Sequence, residues 1–118
     1  MFLKVLRAKI HRATVTESCP DYVGSIGIDE ALLDASGIRP NEFVLVGNLA
    51  NGARFETYVL PAARGSGTVC VNGAAARLAR PGDLLIILAH AYATPEEAAS
   101  VKPAMVHVDE KNRQVRET

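Results

Sequence analysis

The sequence has no tryptophan, and phenylalanine and tyrosine bring aromatics to only 5% of its 118 residues. Its core must therefore be built from aliphatic side chains. There are only two cysteines, Cys19 and Cys70, with no CxxC spacing and no histidine partner pattern. Two reduced thiols are the favoured reading, over a disulfide or a metal site. No apolar run approaches the ~20 residues of a membrane helix. The first ten residues carry Lys4, Arg7 and Lys9, so they lack the apolar stretch of a secretory signal and a cytoplasmic setting is expected. Charge of neither sign is in excess: thirteen basic and thirteen acidic residues sum to zero. That argues against nucleic acid as partner and leaves little self-repulsion against self-association. Linkers, low-complexity segments and internal repeats are also absent.

What is present is a chain 48% hydrophobic, of a length that suggests one domain, 1–118. A domain of this size buries roughly two-thirds of the surface of its unfolded chain. It has little room for a deep private pocket, and sites of small enzymes are often completed at a subunit boundary. Turn signals recur about every ten residues, the spacing of a small sandwich or barrel. Residues 2–17 read as one bent strand or two short ones, and Ser18 to Asp21 as a turn. Ile26 and Ile28 mark a short strand. Asp29 caps a helix over Glu30 to Ser36 that Gly37 stops. Phe43 to Val46 and Phe55 to Leu60 are strands around Asn51-Gly52, a hairpin signal that favours positive φ at both positions. Arg64 to Gly67 turns into a strand over Thr68 to Val71. Ala74 to Ala79 is a short helix, and Leu84 to Leu88 reads as a buried strand. Thr94-Pro95-Glu96-Glu97 opens a helix with a capping box. Met105 to Val108 is the last strand expected, and Lys111 to Thr118 is a polar tail expected to fray. The sum is a mainly β domain with three short helices, most simply a small closed barrel.

Several residues could carry chemistry. In Gly24-Ser25 the serine hydroxyl can attack the preceding carbonyl, and glycine before it keeps a Cβ out of the way. Alone, the pair reads as a turn, as does its twin Gly65-Ser66. Arg54, Thr57 and Tyr58 lie on one strand segment. Alternation puts Arg54, Glu56 and Tyr58 on one face and Thr57 on the other. A site using all three therefore needs a twist, a bulge or a second subunit. Asn72 to Ala76 places small residues at a helix start, where uncovered backbone N–H groups could hold a carboxylate; tight packing of a small helix is the plainer reading. Lys9 and His11 share a strand face, as two exposed polar residues also would. His90 and His107 fit neither a metal spacing nor a serine–histidine pairing and read as structural or surface residues.

Taken together these residues resemble the pyruvoyl-dependent aspartate 1-decarboxylase family. The resemblance runs from Lys9-Ile10-His11-Arg12 through Tyr22-Val23-Gly24-Ser25, Ile28-Asp29, Asn51-Gly52-Ala53-Arg54, Thr57-Tyr58, Arg64-Gly65-Ser66 and Val71-Asn72-Gly73-Ala74-Ala75-Ala76 to Pro81-Gly82-Asp83. Order and spacing agree along most of the chain. The resemblance implies a six-stranded double-psi β-barrel and a homotetramer with active sites between subunits. It implies a proenzyme that cleaves itself between Gly24 and Ser25 into chains 1–24 and 25–118. Ser25 would become a pyruvoyl group, the only cofactor implied, with no metal. The implied reaction is L-aspartate to β-alanine and carbon dioxide through a Schiff base, feeding pantothenate synthesis. By the same resemblance Thr57 assists cleavage, Tyr58 donates the proton to the α-carbon, and Arg54 grips a substrate carboxylate. Gly73, Ala74 and Ala75 supply backbone contacts with Thr57, Lys9 and His11 add supporting charge, and Asn72 gives structural support.

The chain departs from the family pattern at Val23, Ala63, Arg77 and the stretch Glu17 to Asp21. None of these bears an implied role. They bear on the rate of cleavage and on whether maturation uses a helper protein. Two other readings stand beside this one: a pyruvoyl decarboxylase of another small acidic amino acid, and a non-enzymatic barrel serving as a binding or assembly module.

Overall fold

In the computed structural model, which describes residues 1–115, nine strands account for most of the chain. They are β1 (Leu3–Thr14), β2 (Glu17–Cys19), β3 (Ser25–Asp29), β4 (Phe43–Asn48), β5 (Arg54–Ala62), β6 (Val69–Asn72), β7 (Leu84–Ala93), β8 (Ala104–Val108) and β9 (Gln114–Val115). Two α-helices, α1 (Glu30–Ser36) and α2 (Pro95–Ala98), and a 3-10 helix over Gly73–Leu78 connect them. The fold is mainly β with three short helical segments, as the turn spacing predicts. No helix among the described residues is long and apolar enough to cross a membrane.

The strands form one sheet of order β2-β6-β3-β5-β4-β7-β1-β8-β9. Only Val15 and Thr16 separate β1 from β2 in the chain, yet five strands separate them in the sheet. The sheet must therefore curl back on itself. Thr16 ties the curl: its N–H donates to the Val69 carbonyl at 2.8 Å, and the Val69 N–H donates to Thr16 Oγ1 at 2.9 Å. The concave side is filled by aliphatic residues, among them Ile10, Ile26, Ile28, Val44, Val46, Val59, Val71, Leu85 and Ile87, all fully buried.

β1 is bent by two register shifts against β7, one between Leu6 and Ala8 and one between His11 and Ala13. At the second, Arg12 takes φ +67°. An extra residue in one strand changes which parity faces inward. Ala8 and Ile10 are buried before the bulge, Ala13 and Val15 after it. The partial alternation of residues 2–17 is this change of phase. It leaves Lys9 and His11 on the outer face.

Several sequence expectations are corrected. Of Asn51 and Gly52, only Gly52 has positive φ (+73°). The connection is a five-residue loop, closed by Asn48 N–H to Ala53 O and Gly52 N–H to Asn48 O, both 2.8 Å. A loop of that length reverses the chain with one left-handed residue. Ser18 and Cys19 pair with β6, so the turn begins at Pro20. The strand at Leu84 extends to Ala93 and alternates, with Leu85, Ile87 and Ala89 in the core and Ile86 and Leu88 outside. Beyond β8 the chain does not fray at Lys111. Asn112, φ +59°, is 2% exposed; it donates to Thr14 O and Gly67 O and accepts from Thr14 N–H. β9 then pairs with β8. The rest of the expected tail, 116–118, lies outside the described residues.

Asp29 closes β3 and opens α1 as expected, and Gly37 ends α1 in the left-handed region. Its buried carboxylate also accepts from Gly65 N–H (2.9 Å) and Gly67 N–H (2.8 Å), fixing the 64–67 turn. Burial pushes this carboxyl up, but the donors at Ala31, Gly67 and Gly65, with Arg64 nearby, outweigh it and hold the group below its usual range. A carboxyl more acidic folded than unfolded stabilises the fold above the ordinary carboxylate value of about 3.9, and that stabilisation is lost as pH falls through the folded value. Asp29→Ala should lower stability by about 3 kcal/mol, since it removes a cap and leaves two backbone donors without their acceptor. Urea denaturation across pH checks this: the difference from the unchanged chain should shrink below pH 4, and a pH-independent difference would refute it.

Candidate functional site

Ser25 begins β3, where it pairs with Asn72 of β6. It is fully buried, and Asn72 Nδ2 donates to its Oγ at 3.1 Å. The Ser25 hydroxyl points back along the chain to the Val23 carbonyl, at a long 3.5 Å. Gly73 follows Asn72 with φ +74° and lies directly on the Gly24 backbone. A Cβ on Gly73 would stand 2.5 Å from Gly24 Cα and 2.9 Å from Gly24 N. No side chain but hydrogen fits there. Gly24 itself is exposed and has room for a Cβ. The Gly24-Ser25 peptide is thus held from one side by an Asn-Gly pair, while its own flank is open.

On the other side of β3 runs β5, parallel, with Ile26 opposite Val59. The ladder starts there, one residue past Ser25 on β3 and one residue past Tyr58 on β5. Thr57 is buried and shares the core face with Val59. Tyr58 shares the outer face with Arg54 and Glu56, and its ring lies 6.0 Å from that of Phe43. β5 pairs with β4 without a register shift from Tyr58 to Arg54. A bulge therefore does not bring Arg54, Thr57 and Tyr58 to one point within the chain.

Arg54 instead belongs to a second group. Across the outer face, pairing aligns His107, His11, Ile86, Gly47 and Arg54 in one row. The next row holds Met105, Lys9, Leu88, Leu45 and Glu56. Gly47 leaves the sheet bare in the middle. A cavity of about 430 Å³ opens there, lined by Lys9, Gly47, Ile86, Leu88 and Arg54 among others. Two cations over an apolar floor can hold an anion whose other end is uncharged or bound elsewhere.

His11 lies edge-on to His107, ring centroids 5.4 Å apart, with its Nδ1 buried and without a partner. Burial lowers its pKa, and the positive groups at Lys9, His107 and Arg12 lower it further. With its pKa pushed below the ordinary value, the His11 ring is uncharged at neutral pH, so the positive charge lining the cavity comes from Lys9 and Arg54, with Glu56 on the same face.

Gly73 to Leu78 is a 3-10 helix whose Asn72 cap makes no side-chain bond to it. Asn72 spends its amide on Ser25, and Gly73 serves close approach. Ala74 is exposed and Ala75 half-buried beside them.

Spacing gave no sign of one further cluster. Cys19, Cys70 and Glu17 meet across β2 and β6, with their ligand atoms all within 4.8 Å of one another. Cys70 Sγ lies 3.2 Å from Asn72 Oδ1. Burial pushes the Cys70 thiol up to about 11, and Cys19 and Glu17 add to the shift. Only the pairing of two distant strands reveals it.

A family model described as aspartate decarboxylase matches residues 1–115. Among curated relatives, an aspartate 1-decarboxylase of Pelotomaculum thermopropionicum is 58% identical over 96% of this chain and 86% of that protein. One of Caldicellulosiruptor bescii is 57% identical over 98% of this chain and 91% of its own length. One of Salinibacter ruber is 56% identical over 95% and 77% respectively.

The asymmetry of the glycine contact is testable by urea denaturation. Gly73→Ala adds a backbone clash to an unfavourable positive φ and should cost about 2–4 kcal/mol. Gly24→Ala meets nothing within 4 Å and should change stability by less than about 1 kcal/mol. Equal effects would contradict this contact.

Proposed function

The chain belongs to the aspartate decarboxylase family, and from that membership we propose that it converts L-aspartate to β-alanine and carbon dioxide after cutting itself between Gly24 and Ser25. One observation carries the reading: Ser25 is fully buried with its Oγ held by Asn72, while Gly73 packs against Gly24 Cα, next to the peptide to be cut.

Cleavage uses the chain's own groups. Ser25 Oγ attacks the Gly24 carbonyl carbon, its proton passes to the departing amide nitrogen, and an ester replaces the peptide bond. Loss of the Ser25 α-proton then expels Gly24 as a carboxylate and leaves dehydroalanine. Its enamine tautomerises and takes up water, ammonia leaves, and residue 25 ends as a pyruvoyl group. Thr57, a buried hydroxyl two residues before the Val59 that pairs with Ile26, is suited to hydrogen-bond the oxyanion that forms in the first step.

The site suits such a group. It is small, it forms from Ser25 in place, and Asn72 and Gly73 already border it. The pyruvoyl ketone supplies an electron sink for the pair left behind when the α-carboxylate departs. Tyr58 immediately precedes the Val59 that pairs with Ile26, as Ser25 precedes Ile26, and is the proton donor to the α-carbon. Arg54 binds a substrate carboxylate through its planar fork, with Lys9 beside it and His11 as a neutral neighbour. Gly73, Ala74 and Ala75 offer backbone to the other end of the substrate.

Arg54 is four residues from Tyr58 on an unbroken strand, roughly 13 Å at about 3.3 Å per residue. A four-carbon substrate does not span that along the strand. The reading therefore includes a homotetramer in which one subunit's Ser25 group meets Arg54 and Lys9 of another. The outer face supports this, since Phe43 and Met105 are exposed on it and Tyr22 and Val23 are exposed beside the cut. A closed six-stranded double-psi barrel fits the curl that β1 and β2 impose. A cytoplasmic setting fits two free thiols, Cys19 and Cys70.

Intact mass measured on warming should yield fragments 1–24 and 25–118, the larger reactive towards hydrazines. Ser25→Ala should abolish the cut and Ser66→Ala should leave it; equal behaviour would sink the assignment. Tyr58→Phe should still cleave, yet turn over aspartate about a hundredfold more slowly. Turnover equal to the unchanged enzyme would remove Tyr58 from proton transfer. With glutamate, product release should be negligible.

A further inference from the structure

We propose that Glu17, Cys19 and Cys70 form a binding site for a thiophilic divalent cation of the zinc class, set across β2 and β6. Glu17 and Cys19 are two apart on β2 and so share a face. β2 runs parallel to β6 with Glu17 opposite Cys70, which puts Cys19 on the diagonal. One carboxylate oxygen and two sulfurs lie within 4.8 Å of one another. In a tetrahedral zinc site, bonds of about 2.3 Å to sulfur and 2.0–2.2 Å to oxygen leave the ligand atoms roughly 3.5–3.8 Å apart. The three side chains need to close by about an ångström, which rotamer adjustment supplies without moving the strands.

The same register argues against a disulfide. Diagonal neighbours on adjacent strands have α-carbons about 7–8 Å apart. Disulfides need about 4.4–6.8 Å. Two soft sulfurs with one oxygen also select zinc or cadmium over magnesium or calcium. Asn72 Oδ1, 3.2 Å from Cys70 Sγ, borders the fourth position. On binding, each thiol gives its proton to solvent and its sulfur lone pair to the metal.

Two consequences rest on the proposed cleavage; the site itself does not. Glu17 and Cys19 fall in the small chain and Cys70 in the large one, so the ion would clip the two products together. Cys70 would also release Asn72 Oδ1, the other end of the amide that holds Ser25.

Cobalt(II) is the probe, titrated into reduced full-length protein and into Ser25→Ala, which keeps the chain in one piece. A sulfur-to-cobalt charge-transfer band should saturate at one ion per chain in both and be displaced by zinc. Cys19→Ser and Cys70→Ser should each abolish it. Glu17→Gln, a change at an exposed residue, should keep the band and weaken affinity about tenfold. No band in either parent protein overturns the proposal, as does a band unchanged in both serine variants. Formation of a Cys19–Cys70 disulfide in air, with no cobalt band under reduction, also overturns it. Because Ser25→Ala binds without cutting, failure of the metal site and failure of self-cleavage are read separately.

Discussion

Everything distinctive about the Gly24-Ser25 peptide depends on its contact with Asn72-Gly73. Gly73 comes so near Gly24 that a methyl group would collide with the Gly24 backbone, and Asn72 holds the Ser25 hydroxyl one residue away. The contact follows from antiparallel pairing of β3 with β6, which sets Ser25 opposite Asn72. Close packing of backbone on backbone removes freedom beside the bond that the proposed cleavage attacks with its own side chain. Positioning of this kind is worth orders of magnitude in rate when the reacting atoms are a few ångströms apart.

The remaining groups are distributed by the two faces of the sheet. The bulge at Arg12 keeps Lys9 and His11 outside while returning Ala13 and Val15 to the core. Gly47 opens the outer face between them and Arg54. Tyr58 lies on the outer face opposite Phe43, one residue before the Val59 that pairs with Ile26 of β3. An unbroken β5 sets Arg54 four residues from Tyr58, and the proposed reading completes the substrate site from a second subunit for that reason. Zero net charge offers little self-repulsion against the association that this reading includes.

Much of this was legible in the residues themselves. Asp29, Gly37 and Thr94 mark helix ends by local chemistry, and the structure has those ends where the caps stand. Alternation on β5 already separated Thr57 from Arg54 and Tyr58. Less legible were features created by strands distant in sequence. Asn112 looks like one polar residue in a tail, yet it fastens Thr14 to Gly67. Cys19 and Cys70 have no spacing that announces them and meet only because β2 adds beside β6. Gly73 read as a helix start able to bind an anion; its first duty is to let Gly24 approach. A bulge such as that at Arg12 shows in sequence only as imperfect alternation.

The most direct measurement is the rate at which fragments 1–24 and 25–118 appear in Asn72→Ala, followed by intact mass beside the unchanged chain. A hydroxyl freed from its amide donor should cleave at least about tenfold more slowly, with the fold retained by circular dichroism. Cleavage at the unchanged rate in a folded Asn72→Ala chain would contradict the claim that the Asn72-Gly73 contact poises Ser25.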